Sequence, residues 1–437
     1  MTTGFAAIPP APRYVLANAR VPGALLAVPP DATDAEGPAG ADIVVAAGGT
    51  GGVGPKGRGA AAPPRLDLDG GMVLPAFVDM HTHLDKGHIW PRRTNPDGTF
   101  ATALAVVALD RAAHWSANDV AARMEFALRS AYAHGTALIR THIDSIPPQE
   151  DISWPVFAAM RERWAGRIDL QGVALFGIDQ ILDEAFAGTI AATVARHGGI
   201  LGGATFMFPG IEKAVERLFR LAMENGLDLD LHVDESEDPA ARSLRVVADT
   251  AIRLKFPGRI AVGHCCSLAL QPEAEADGTL ARIAEAGIAV VSLPMCNLYL
   301  QDRHGGRTPR WRGVTLLHEM RARGIPVAIA SDNTRDPFYA YGDLDMLEVF
   351  REGVRTLHFD TPFGDWPATV ARFPAAILGR PDRGVVAAGA AADLVPFRAR
   401  TFTELLSRPQ ADRTVLRSGT PIDRTLPDYR ELDALMG

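Results

Sequence analysis

Between Leu74 and Leu84 the chain reads LPAFVDMHTHL, an apolar run that ends on two histidines placed two residues apart. On an extended strand alternate side chains leave the same face, so His81 and His83 stand together at the strand's C-terminal end. Working outward, seven further apolar runs follow: ALIRTHID (137–144), LQGVALF (170–176), LGGATFMF (201–208), LDLHVDE (229–235), IAVGHCC (260–266), IAVVSLP (288–294) and PVAIASD (326–332). Helical patterns lie between them, among them ANDVAARMEFALRSAYAH before Gly135 and IEKAVERLFRLAMEN before Gly226. Each of those two stops at the residue that most readily takes the left-handed turn after a helix.

Eight strand-like runs alternating with helices predict an α/β fold, a (β/α)8 TIM-like barrel over residues 72–380, although a doubly wound open sheet would produce a similar string. The flanks, residues 1–71 and 381–437, read differently. YVLANARV (14–21), ALLAV (24–28), DIVVAA (42–47) and RLDLDG (65–70) precede the barrel region; GVVAAGAAADLVPF (384–397) and RTVLRSGTPI (413–422) follow it, around a short helix at FTELLSR (402–408). One small β-domain assembled from both termini is the economical arrangement. GGTGGVGPKGRGAAAPP (48–64) reads as a surface excursion, because no helix pattern follows it to form a phosphate cradle.

Composition narrows the classes of function. The 437 residues carry 44 Lys+Arg against 52 Asp+Glu, a net charge of −8, which excludes a general phosphate-binding surface and makes nucleic acid an unexpected partner. Three cysteines, two of them adjacent, build no disulfide scaffold and point to a reducing, cytoplasmic location. No leader pattern is read at the start, and no run approaches the ~20 apolar residues of a spanning helix, so no membrane partner is expected. Neither a GxGxxG opening a helix after a strand nor a GK[ST] is present, which argues against a nucleotide-binding open sheet.

Chemistry collects where the strand-like runs end. His81, His83, His142, His232 with Glu235, His264 and Asp332 all fall at the C-terminal ends of separate runs, and in a barrel those ends form one rim. Any one of them reads more readily as a hydrogen-bonded, partly buried histidine or a loop-capping aspartate than as a ligand. Together they point to a metal, because borderline cations take imidazole nitrogen and carboxylate oxygen in such mixed sets.

These residues also carry a resemblance. PAFVDMHTHLDK, RTHID, LHVDES, VGHC and SDNTRDPF, in this order over about residues 72–378, resemble the amidohydrolase superfamily, most closely its cytosine deaminase branch. NLYLQDRHGGRTPRWRGVTLLHEM (297–320) is similar to the stretch that there precedes the strand of the metal-binding aspartate. The resemblance implies a β-sandwich from the flanking segments, and His81, His83, His232 and Asp332 as ligands of one divalent ion, Fe2+, Zn2+ or Mn2+. It makes Glu235 the proton shuttle, His264 the group that polarises the attacking water, and Asp332 the acceptor of that water's proton. Superfamily members with two metals bridge them through a carboxylated lysine after the fourth strand. ILGGATFMFPG (200–210) has no lysine, and Lys213 lies further on in a helical pattern, so a single ion with an open position for water is expected. His142, Asp85 and Lys86 are read as supporting groups, Cys265 and Cys266 as strand residues on opposite faces, and a homo-oligomer is expected from family habit.

The sequence departs from that branch at the substrate. Cytosine deaminases carry a glutamine at the position where LQGVALFG places Gly177, with Gln180 nearby. Leaving a buried amide edge without its partner costs about 1–3 kcal/mol. Asn333 stands where they carry a second aspartate, and SDNTRD instead resembles the N-alkylammelide amidohydrolases, which include N-isopropylammelide amidohydrolase but do not share the HVDE form. Phe176, Gly177, Asn333, Arg335, Phe338 and Trp311 are the candidate pocket residues. The expected activity is metal-dependent hydrolytic deamination of cytosine or a related amino-substituted N-heterocycle, a small-molecule substrate, with release of ammonia. The alternatives are hydrolysis of a cyclic amide, removal of an N-alkyl amine from a triazine-like ring, and, more distantly, non-catalytic binding on a decayed barrel. A carboxylate at 235 beside a metal set argues against the last, since a binding module has no need of a proton shuttle.

Overall fold

The computed structural model describes residues 5–28, 37–55, 63–409 and 412–436. In chain order the first strands are β1 (Arg13–Pro22), β2 (Pro38–Ala46), β3 (Gly49–Pro55), β4 (Arg65–Asp67) and β5 (Val73–Pro75). The alternating region then runs β6 (Phe77–Thr82), α1 (Phe100–His114), α2 (Ala117–His134), β7 (Thr136–Asp144), α3 (Glu150–Arg163), β8 (Asp169–Leu175), α4 (Glu184–Arg196) and β9 (Leu201–Thr205). It continues through α5 (Ile211–Asn225), β10 (Leu229–Val233), α6 (Ser243–Leu254), β11 (Ile260–His264), α7 (Glu273–Ala286), β12 (Ala289–Ser292), α8 (Pro294–Leu300), α9 (Leu317–Ala322) and β13 (Val327–Ile329). After α10 (Met346–Leu357) come β14 (Leu394–Pro396), β15 (Leu416–Arg417) and β16 (Thr420–Pro421).

All eight apolar runs of the sequence are strands, β6 to β13, and they are laid down in sequential order. One sheet has the order β6-β7-β8 and a second β13-β12-β11-β10-β9, the latter parallel throughout. Parallel bridges pair Val173 with Ile200, next to β8 and β9, and Thr82 with Asp332, at the end of β6 and just beyond β13. Sequential order is what a (β/α)8 α/β fold produces; a doubly wound sheet reverses direction at its middle. Strands flanked by helices on a buried sheet read as continuous apolar runs, which explains why these were visible.

The chain divides into two compact units. One comprises Met80–Leu128, Ile139–Asp343 and Asp428–Gly437, and holds most of the alternating region. Its helices face the sheet with one stripe: α5 buries Ile211, Ala214, Val215, Leu218, Phe219 and Ala222 at spacings of three and four, and stops at Gly226 with φ +62°. Each such large side chain contributes about 1.5–3 kcal/mol by leaving water, and the Phe219 ring meets Phe256 edge to face at 5.1 Å. In contrast, α1 is apolar nearly all round and leaves Leu104 and Leu109 exposed, which is why no one-sided pattern marked it in the sequence. Among the described residues no helix is long and apolar enough to cross a membrane.

The other unit comprises Met1–Asp79, Arg129–Leu138 and Leu344–Pro427. It contains two four-stranded sheets, β3-β2-β1-β4 and β16-β15-β14-β5, whose shared core draws Leu16, Ile43 and Val45 from the N-terminal end and Val386, Leu394 and Leu416 from the C-terminal end. Tyr14 ties the two ends together, its hydroxyl donating to the Gly419 carbonyl at 2.6 Å, and burial pushes that phenol up to about 12. Two details differ from the expectation. ALLAV is not a strand: Pro22 and Gly23 break the extended run, and Gly23–Leu25 turn as a 3₁₀ helix before Leu26 bridges to Val386. The glycine-rich Gly49–Pro55 is no excursion, since it pairs antiparallel with β2 as an edge strand, where weak strand formers are tolerated. The remainder of the Gly/Pro stretch, 56–62, lies outside the described residues.

Candidate active site

β6 delivers His81 and, just past its end, His83; β10 delivers His232; Asp332 follows β13 and donates its N–H to the His81 carbonyl at 2.9 Å. The four side chains converge. His232 Nε2 lies 3.1 Å from His81 Nε2 and 3.2 Å from His83 Nε2, and Asp332 Oδ1 lies 3.1 Å from His83 Nε2 and 3.6 Å from His81 Nε2. Burial pushes all three imidazoles well below their ordinary pKa, so they are neutral and present lone pairs. Donors bound to a common ion at ~2.0–2.2 Å would stand roughly 3–3.5 Å apart, so this His₃Asp set fits one divalent cation. No lysine lies on β9 to bridge a second. The close approach has a backbone requirement: a Cβ at Gly263, on β11, would stand 2.8 Å from His81 Cε1.

Next to this cluster sit Glu235 and His264. Glu235 Oε1 is 3.3 Å from His264 Nδ1 and its side chain is 11% exposed. Burial and the Asp332 carboxylate push the Glu235 carboxyl well above its ordinary value, with Lys86 pulling the other way. Burial brings His264 down to about 3. The Asn297 amide nitrogen, a donor, lies 3.0 Å from His264 Nδ1, an arrangement that selects the tautomer with the ring proton on Nε2, which has no hydrogen-bond partner among the described residues. His264 and Asp332 hold φ values of +67° and +64°, a region costly to residues with a Cβ and concentrated at functional sites. Cys265 and Cys266 lie past the end of β11, the first also left-handed, and both are buried; they are not the alternating strand pair expected from the sequence. His142, on β7, lays its ring 4.0 Å from that of His81, and its Nε2 is 3.9 Å from Asp230 Oδ1. Arg140 anchors Asp230 at 2.7 Å.

A cavity of about 660 Å³ opens onto this cluster. Of the candidate pocket residues, Phe176, Gly177, Asn333 and Phe338 line it, together with His83, His232, Glu235, His264 and Asp332. Trp311 and Arg335 are not part of the wall. Trp311 sits in the loop after α8, its backbone N–H taken by Asp302 at 3.0 Å, and the Arg335 guanidinium lies over the Tyr429 ring at 4.1 Å. Gln180 falls in a 3₁₀ turn, with Nε2 3.5 Å from where a Cβ at 177 would be.

Other wall residues were not expected. Lys86, read as loop support, lines the cavity and pairs with Asp144 at 3.1 Å, while Arg111 of α1 holds the other oxygen of Asp144 at 2.8 Å. Asp85 does serve the loop, accepting the Asp144 N–H at 2.9 Å. Phe206 and Met207 form a half-exposed apolar lip. Asp144 had a signal, its place at the end of THID; Arg111 had none, because α1 was not visible. Asn333 Nδ2 donates to the fully buried Asp336 at 2.7 Å. Burial raises the Asp336 carboxyl to about 6 against the opposing pull of that bond and of Lys86.

The sheet order, the His₃Asp set and the adjoining carboxylate agree with the match of residues 66–151 and 181–423 to the Amidohydrolase family, and the protein belongs to that family. It is 56% identical over 437 residues, 100% of both chains, to a pterin deaminase of Rhizobium rhizogenes (strain K84). Its fold is similar to that of the solved 5-methylcytosine deaminase of Klebsiella pneumoniae liganded with 5-fluorocytosine, with a TM-score of 0.81 and 24% identity, covering 95% of this chain and 98% of that one. The N-isopropylammelide isopropylaminohydrolase of Burkholderia multivorans gives a TM-score of 0.75 and 26% identity, covering 94% and 98%.

Proposed function

We propose that the protein is a metal-dependent hydrolytic deaminase of a fused, amino-substituted N-heterocycle of the pterin type. The observation that carries this reading is the 56% identity along the whole chain with a pterin deaminase. The reaction replaces an exocyclic amine on a ring carbon by the oxygen of water and releases ammonia. His81, His83, His232 and Asp332 would hold the ion. When bound, a divalent ion supplies a water acidic enough to attack near neutral pH.

The remaining steps belong to the chain's own groups. Asp332 takes the proton of the attacking water at a carboxylate oxygen. Glu235, protonated in its buried position, gives that proton at Oε to the ring nitrogen beside the reacting carbon, takes up the water's second proton and gives it to the departing amine, and is reset by the proton held on Asp332, so both carboxyls end as they began. With Nδ1 occupied by Asn297, His264 turns an N–H at Nε2 to the charge developing on oxygen. Phe176 and Phe338 belong to the apolar part of the wall, which keeps solvent from the ring. Gly177 carries no side chain where cytosine deaminases place their glutamine, and the cavity of about 660 Å³ accommodates two fused rings.

The test is amine release by protein loaded separately with iron, zinc or manganese, offered pterin, cytosine, isocytosine and an N-alkylaminotriazine. Ammonia from pterin, one per ring, supports the reading. Turnover of cytosine in preference to pterin would return the substrate to the pyrimidine class. An alkylamine from the triazine, with pterin untouched, would favour the alternative suggested by the Burkholderia structure. No amine from any ring with metal bound would overturn deamination.

A further inference from the structure

Asn333 lines the cavity beside Asp332, and its amide offers a donor on one side and an acceptor on the other. Which side meets the substrate is decided by a neighbour. Asp336 is fully buried; one of its oxygens, Oδ2, accepts from Asn333 Nδ2 at 2.7 Å, and the other accepts the Phe338 and Tyr339 N–H groups at 2.8 and 3.1 Å. A carboxylate only accepts, so it draws the amide nitrogen to itself and leaves Oδ1 on the amide's other side as its acceptor.

We propose that Asp336 is a positioning residue that holds the Asn333 carbonyl toward the cavity, so that Asn333 recognises an N–H edge of the substrate ring. This rests on the deaminase reading and specifies its substrate: a ring with an exocyclic amine or lactam N–H next to the reacting carbon. Asn333 then supplies an acceptor without adding a second negative charge beside Asp332. The same buried acid fixes the backbone at Phe338, so it sets two parts of the wall.

The test is a reciprocal exchange in the metal-loaded enzyme. Asp336→Asn keeps the shape and the acceptor for Phe338, but places an amide nitrogen against Asn333 Nδ2. Two donors cannot pair, so the Asn333 amide turns, and KM for pterin should rise at least tenfold while kcat stays within threefold and metal content is unchanged. In the double variant Asn333→Asp/Asp336→Asn the carboxylate accepts from the new amide and still shows an oxygen to the ring, so KM should return to within threefold of wild type. Asn333→Ala, which removes the acceptor and leaves Asp336 in place, should weaken binding as much as Asp336→Asn. An unchanged KM in Asp336→Asn or Asn333→Ala overturns the proposal, as does a double variant no better than the single, which is what a merely structural Asp336 gives. Binding of the deaminated ring, which keeps its lactam N–H, should follow the same order without turnover. A wild type that binds this ring and releases no ammonia from pterin would therefore sink the deaminase reading and leave the role of Asp336 measured by binding.

Discussion

Glu235→Gln separates a proton carrier from a polar wall residue. The amide has the carboxyl's shape and can still meet His264 Nδ1, now 3.3 Å away, so the wall and the His264 orientation persist. It carries no transferable proton. General acid–base catalysis contributes about 10²–10⁴-fold, and at about 1.36 kcal/mol per tenfold the barrier should rise by roughly 2.7–5.4 kcal/mol. Because the four proposed ligand side chains are untouched, metal content should stay at that of wild type and KM should change less than threefold. The thermal midpoint should not fall, since a neutral amide replaces a carboxyl that burial and Asp332 already favour in its neutral form. Steady-state kinetics on pterin, metal analysis and thermal denaturation on the same preparation read all three. A loss of kcat below tenfold, or a larger loss accompanied by metal loss, would refute the shuttle role.

Three further outcomes follow from the geometry. Gly263→Ala places a Cβ 2.8 Å from His81 Cε1 and should lower metal affinity about 10–100-fold, the range seen when a ligand loses its orientation; unchanged affinity in a competition titration would contradict the contact. Asp332→Ala should abolish turnover and empty the site on dialysis, and retention of one metal per chain at the wild-type rate would remove Asp332 from the ligand set. Asp345→Asn should cost about 3–5 kcal/mol, because Arg413, 2% exposed, loses its buried partner. Burial would raise the Asp345 carboxyl, yet Arg413 and His134 hold it well below its ordinary value. Its stabilisation is therefore fully present above the unfolded pKa of about 4 and is lost as pH falls through the folded value. The gap in thermal midpoint between wild type and Asp345→Asn should be full at neutral pH and close on acidification below about pH 4; an equal gap at both ends would refute the assignment.

Much of the fold was legible because buried parallel strands leave continuous apolar runs, and the clustered side chains could be read as a group because each stands at or just past the end of one. That rule grouped His232 and Asp332 with the other histidines; their reading as a ligand set came from the family resemblance. The rule fails once the chain leaves the strand: periodicity says nothing about the path of the loops carrying Trp311 and Arg335, and neither residue lines the cavity. α1 was hidden by its exposed Leu104 and Leu109, and Arg111 with it. Gly49–Pro55 was hidden because its composition suits a loop, and only pairing with β2 makes it a strand. Asp336 was in plain view within SDNTRD, but its grip on Asn333 depends on the turn that follows Asp332, where a positive φ at Arg335 reverses the chain.

The most direct test of the central claim is turnover of pterin in water labelled with ¹⁸O, with ammonia and the ring product quantified together. The account predicts one ammonia per ring and one labelled oxygen on the ring, with both signals lost on metal removal and restored when the ion is returned. A product without label, or label incorporated with no ammonia released, would contradict hydrolytic deamination at this site.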